Sequence, residues 1–551
     1  MPEKVRVTVD AGRTTGRLAR TWNYIGYDEC NYTHSPGGMA LIEKFGKLGR
    51  PYYMRAHHML CTGNMHGFYK WGSTNAYIED EDGNPIYNFD LINEMCDIWL
   101  RNSAKPFFEI GFMPCDLADP RLAEDGKRYE LHGHMSEYQR VGWAMPPKDY
   151  QKWYDLIFAL VSHCVKRYGA AEVEAWYWEM WNEPDIFYWR GTPEEFHKLY
   201  DFTEAAVHAA LPAARFGGPA TCGNRAADGH GTVFLDAFLH HIRHGTNYYS
   251  GGIGTRIDFI SCHTKGGGYE FDTLARKQIP SVKVFLENVR TQFEVIKRYE
   301  YGDLECVLSE ADPDGWAAGG RFDNFNLNFR NTEYYAAYTA SAYKNLYDLA
   351  DQLGADIRPL AWAFMFEGER CFEGTRAFST QGIDKAVFNL FKLYEMLGES
   401  RVSLTSSRAL CPLAYPDDNG TSEGPEIDGW ATVKSGAVQI MLYCHHDDWD
   451  VKETYDVELC LDGLPFDADA FVTHYRVDAA HSNAYAEWVR QGRPNYPIAG
   501  QYNAIKARDG LETCEEPRVM RLSNGRLLHR FALPAHAVSL LMITDCANHQ
   551  S

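Results

Sequence analysis

Several things are scarce or missing in this chain, and each absence removes a class of function. No apolar run approaches the ~18 residues that cross a bilayer. The opening stretch MPEKVRVTVDAG lacks the charged-then-apolar order of an export signal and alternates like a strand. A soluble, cytoplasmic protein is therefore expected. Basic residues are in deficit, with 54 Lys and Arg against 75 Asp and Glu and a formal charge of −21. Nucleic acid and anionic membranes both select for Lys and Arg, so neither is expected as a partner. The 14 cysteines include no CxxC or CxxxC pair. Their spacing suggests neither a metal site nor a disulfide framework, and reduced, mostly buried thiols are expected. Low-complexity tracts and short-period repeats are absent as well.

What remains is a globular composition: 551 residues, 45% hydrophobic and 14% aromatic, enough for a barrel-sized domain and a smaller one. From residue 22 to about 397, short apolar runs alternate with stretches of helical period such as DLINEMCDIWLRNS and PEEFHKLYDFTEAAVHAAL. The runs at 24–26, 53–56, 107–111, 176–181, 215–218, 259–263, 307–310 and 360–365 predict eight strands. Eight strands interleaved with helices make an α/β fold, a (β/α)8 TIM barrel, over residues 15–400. The longest loop, 113–146, is expected to overhang one end. Past residue 400 the helical period disappears, and GWATVKSGAVQIMLYCHHDD or HRFALPAHAVSLLMIT alternate instead. Residues 401–551, joined by the strand in 1–14, predict a C-terminal β-sandwich domain, either a carbohydrate-binding module or a structural buttress.

Such barrels carry their active sites at the C-terminal ends of the strands. Strand four ends in Asn182-Glu183-Pro184, inside the aromatic stretch YWEMWNEPDIFYW, and strand seven ends in Ser309-Glu310-Ala311-Asp312. Two carboxylates facing across the mouth at roughly 5 Å have the spacing of a retaining glycosidase. One must be protonated, which apolar surroundings favour; the other must be ionised, which a nearby cation favours. Simpler readings stand beside this one. Glu183 suits the first turn of a helix, and Asp312 shares the parity of Glu310 and competes with it. Of the neighbours His57 and His58, only one faces the axis.

WNEP ending strand four, with a second Glu ending strand seven, resembles the retaining glycosidases built on this barrel. MRAHHML (54–60), KPFFEIGFMP (105–114) and HYRVDAAHSNAYAEW (474–488) narrow the resemblance to family 39 of the glycoside hydrolases, the β-xylosidase and α-L-iduronidase family. It covers most of the chain. The resemblance implies Glu183 as acid/base, Glu310 as nucleophile and Asn182 as ligand of the sugar 2-hydroxyl. It also implies Arg55 beneath the nucleophile, His57 and His263 as hydroxyl ligands, and Trp316 as a subsite wall. It implies no metal and no organic cofactor.

The sugar is less sharply marked. His263-Thr264-Lys265-Gly266 and EADPDGW are similar to α-L-iduronidase, in which a lysine and the amides of a Gly-Trp pair contact a uronic acid. The counterparts are Lys265, Gly315 and Trp316, with Arg370 or Arg376 as a second cation. The segment FEGERCFEGTRAFSTQGIDKAVFN looks more like bacterial xylosidases, with Glu367 or Glu373 as ligands of neutral hydroxyls. Lysine pairing with a neighbouring acid is the plain alternative for Lys265. The expectation is an exo-acting β-D-xylosidase on xylo-oligosaccharides. An iduronidase-like enzyme and a non-catalytic carbohydrate-binding barrel are the alternatives. A glycoside is the expected partner, and homo-oligomerisation is left open.

Overall fold

A computed structural model describes residues 3–63, 73–120, 143–224, 226–267, 277–315, 320–322, 324–363, 369–414, 424–467 and 469–549. Eight parallel strands close into a barrel: β1 (Tyr24–Glu29), β2 (Tyr52–His57), β3 (Ala104–Ile110), β4 (Tyr177–Met180), β5 (Arg215–Thr221), β6 (Phe259–Lys265), β7 (Cys306–Asp312) and β8 (Ile357–Trp362). Each is followed by a helix: α1 (Pro36–Gly46), α2 (Asp90–Arg101), α3 (Tyr150–Tyr168), α4 (Pro193–Ala210), α5 (His230–His244), α6 (Val282–Arg298), α7 (Glu333–Leu353) and α8 (Ala386–Met396). All eight expected strands fall on barrel strands, although β8 begins earlier, and part of its expected end lies outside the described residues.

Local sequence explains the helix ends. Thr192 and Glu195 form a capping box ahead of α4, with Pro193 in the first turn. Gly354, at φ 65°, ends α7 in the left-handed conformation that costs other residues most. Inside the barrel, Tyr24, Phe107, Tyr177, Phe259, Val307, Leu360 and Trp362 form one apolar layer. That layer is the floor on which the strand ends stand. Part of loop 113–146, residues 121–142, lies outside the described residues. Among the described residues, no helix is long and apolar enough to cross a membrane.

The second region is a single ten-stranded sheet curled over on itself. Leu459 and Val472 lie on strands far apart in the hydrogen-bonding order, yet they share one apolar core with Val5, Ile440 and Leu541. The layers of this sandwich are thus continuous, where a sandwich of two separate sheets would be the simpler expectation. The reason lies in the strand Lys4–Arg17, which pairs with Ser400–Ser406 and Thr454–Asp462 and shifts register between Asp10, Thr14 and Gly16. Such irregularities bend a strand and let a sheet turn a corner.

Helix α7 is buried on both sides, by the barrel and by this sheet. Ser341 Oγ donates to Glu426 Oε2 at 3.0 Å, and the Lys344 ammonium pairs with Asp428. An excursion from the sheet carries the helices Ala484–Arg490 and Ala499–Lys506 onto the loop that follows β8. There Ala484, Trp488 and Ile505 pack with Cys371, Phe372 and Ile383.

Candidate active site

The strand ends converge on one mouth. β2 delivers Arg55 and His57, β3 Glu109, β4 Glu179, β6 His263 and Lys265, β7 Glu310 and Asp312, and β8 Trp362. Glu183 arrives differently. The strand expected over 176–181 ends at Met180, because Trp181 turns into the left-handed region at φ 66° and Glu183 does so again at φ 45°. The Glu183 N–H donates to the Ala220 carbonyl at 2.9 Å, and Trp181 Nε1 donates to the Tyr188 carbonyl at 2.9 Å. Backbone in these sparsely populated conformations persists where the surroundings dictate it, and it concentrates at functional sites. Here it swings Glu183 off the strand line toward β6 and β7.

The two carboxylates meet around a histidine. Glu183, His263 and Glu310 present oxygen and nitrogen atoms that all lie within 4.8 Å of one another. His263 Nδ1 is 2.8 Å from Glu183 Oε1 and 3.9 Å from Glu310 Oε2. On its other side Glu310 meets Lys265 Nζ at 2.7 Å, His57 Nε2 at 3.3 Å and Arg55 at 3.5 Å. Burial pushes the Glu310 carboxyl up, but Lys265, His263 and His57 outweigh it and hold the group well below the usual carboxylate range. Arg55 stands lower in the barrel. Its guanidinium is 2.5 Å from Glu179 and 3.0 Å from Glu109, and it also donates to Asn182 Oδ1 at 3.0 Å. The nearest cation to Glu310 is therefore Lys265, not Arg55.

Asp312 and Glu310 both reach Lys265, as strand parity requires, but their settings differ. Asp312 is buried against Lys265 at 2.9 Å, Arg376 at 2.9 Å and Arg330 at 3.4 Å. Burial raises its proton affinity, and those three cations lower it further than burial raises it. Glu310 is the one that faces Glu183. His57, ending β2, holds Glu109 at 2.5 Å; burial disfavours its charge, yet Glu109 and Glu310 lift its pKa to about 9. His58 turns away at φ 66°, buried beside Phe112.

The residues marked for a uronic acid are otherwise engaged. Lys265 pairs with Glu310 and Asp312, the plain alternative for it. The Gly315 N–H donates to the Gly267 carbonyl at 2.9 Å. Arg376 bridges Asp312 and Asp28, and Arg370 pairs with Glu373. Trp316 and Glu367 lie outside the described residues. Sequence reasoning passed over Glu109, Glu179, Asp28 and Trp362. The first two were visible as charges inside apolar strands, the same signal that singled out Glu183. Trp362 was not, since its ring lies 5.1 Å from His57 only once the barrel closes. A divalent cation between Glu183, His263 and Glu310 does not fit, because the Lys265 ammonium already supplies the positive charge at Glu310.

Similarity to known proteins agrees with this geometry. The chain is 26% identical over 489 residues to a β-xylosidase of Geobacillus stearothermophilus, covering 86% of this chain and 83% of that protein. It is 26% identical over 485 residues to the α-L-iduronidase of Homo sapiens, covering 84% of this chain and 66% of that protein. In fold it is similar to a monomeric β-xylosidase from Caulobacter crescentus CB15, with TM-score 0.75, 21% identity and coverage of 98% of this chain and 99% of that one. Residues 5–523 match the family described as glycosyl hydrolases family 39, and with its closed barrel and carboxylate-lined mouth the chain belongs to that family.

Proposed function

We propose that the protein is a retaining, exo-acting β-D-xylosidase that releases xylose from the non-reducing ends of xylo-oligosaccharides. One observation carries the mechanism: Glu183 and Glu310 bring carboxylate oxygens within 4.8 Å of each other. That agrees with the roughly 5–5.5 Å of retaining enzymes and falls short of the roughly 6.5–9.5 Å that leaves room for a water in inverting ones. Glu310, kept ionised by its cations, attacks the anomeric carbon while Glu183 protonates the departing oxygen. Glu183 then takes a proton from water, and that water releases the sugar from Glu310 with its β configuration retained. Arg55 occupies the Asn182 carbonyl oxygen, which leaves the amide nitrogen to donate to the sugar 2-hydroxyl. Trp362 and His57 form the floor beneath the sugar ring.

A neutral sugar is favoured because the cations proposed for a carboxylate already hold protein acids. The iduronidase-like reading draws on one fact, that Lys265 stands at the mouth beside Glu310. A panel of aryl glycosides of xylose, arabinose, glucose, galactose and iduronic acid separates the two. Xyloside cleavage with the β-anomer appearing first by NMR is expected. Activity on the iduronide alone overturns the sugar, and an α-anomer as first product overturns the mechanism. Glu310→Ala should lose turnover and regain it with azide, yielding the α-configured xylosyl azide.

A further inference from the structure

Beyond the two glutamates, a second cluster of chemistry-bearing side chains stands on the connections that follow β4 and β5. Asp185 lies two residues past Glu183, Cys222 follows β5 directly, and His230 opens α5. Asp185 Oδ1 accepts the Cys222 backbone N–H at 3.0 Å, which fixes the plane of the carboxylate. Its Oδ2 is 2.6 Å from His230 Nδ1. The Asp185 side chain is 1% exposed and that of His230 is 55% exposed, so the cluster has a rigid inner wall and an outer face open to solvent. Cys222 is half-buried between them. The thiol sulfur, the carboxylate oxygen and the imidazole nitrogen all lie within 4.8 Å of one another.

We propose that Asp185, Cys222 and His230 form a binding site for a thiophilic divalent cation of the Zn2+ class. The donor set is one sulfur, one nitrogen and one oxygen, a combination suited to tetrahedral zinc at roughly 2.0–2.3 Å from each ligand. A backbone N–H orients the carboxylate from behind, as the outer partners of metal ligands do. On binding, the thiol proton leaves to solvent and the imidazole proton moves from Nδ1 to Nε2, with no change of oxidation state. Sequence spacing pointed to no metal site, because these ligands come from two separate connections, Asp185 after β4 and Cys222 with His230 between β5 and α5.

The test uses reduced full-length protein carrying Cys411→Ser, which removes the exposed thiol. Co2+ serves as the spectroscopic probe and Zn2+ as the competitor. One equivalent of Co2+ should give a thiolate-to-cobalt band in the near ultraviolet. That band should be absent in Cys222→Ser and should need at least about tenfold more Co2+ in His230→Ala. Zn2+ should displace Co2+ from the parent and bleach the band, since Zn2+ ranks above Co2+ for such a donor set. No thiolate band in the parent, or a band that survives Cys222→Ser, overturns the site. A band that excess Zn2+ does not bleach overturns the assignment of the cation class.

Discussion

Glu310 has Lys265 at 2.7 Å and His57 at 3.3 Å, and its charge is the reason those cations tolerate burial. Removing Lys265 takes away the strongest influence that depresses the Glu310 pKa. In Lys265→Met the Glu310 carboxyl should therefore titrate higher, and the acidic limb of the kcat/KM profile should move to higher pH. A lysine that instead bound a sugar carboxylate would raise KM for the iduronide and leave that limb where it is. The same depression has a consequence for stability. Glu310 and Asp312 titrate lower in the folded protein than unfolded, so they stabilise it above the ordinary carboxylate pKa. That stabilisation is lost as the pH falls through their folded values. Arg55 is a separate case, because its loss leaves Glu179 buried without its cation and Glu109 with His57 alone. Arg55→Met should cost about 3–5 kcal/mol in urea unfolding.

The elements that aim these side chains are less regular than a barrel requires. β4 stops at Met180 and leaves through two left-handed residues, and β7 shifts register against β6 between Leu308 and Glu310. Both irregularities sit beside a carboxylate of the pair. The loop after β8 carries Arg376 to Asp312 and is held from outside by Trp488, whose indole donates to the Pro494 carbonyl at 2.9 Å. Trp488 packs at 5.2 Å from Phe372 and is fully buried. Trp488→Ala should lower stability by about 3–5 kcal/mol. It should also reduce kcat in preparations still folded at the assay temperature, because the loop bearing Arg376 loses its clamp. Unchanged kcat with a lowered Tm would show that the excursion only stabilises.

Across the whole molecule, the barrel and the curled sheet meet along α7, and that interface buries an acid. Glu426 accepts from Ser341 and Asn345. Burial, reinforced by Asp428 and opposed by Lys344, raises its pKa to about 7. The folded state then binds more protons than the unfolded one between about 4.3 and 7, so stability declines as the pH rises through that window. Glu426→Gln should flatten this decline, with Tm near that of the parent at pH 5 and above it at pH 8. A parent Tm that does not fall across that range would mean that the interface keeps Glu426 ionised at no cost. Much of the architecture was legible before any coordinates, because burying one face of a helix or strand leaves a period in the local sequence. The eight strand ends, and Glu183 and Glu310 among them, follow from that period together with the rule that barrel sites sit at strand C-termini. The pairing of charges does not. Whether Lys265 binds a sugar or an acid, whether Arg55 or Lys265 lies nearest Glu310, and whether Cys222 meets His230 depend on closure of the barrel. Closure sets the distance between side chains that no local pattern connects, and only the tertiary structure decided those contacts.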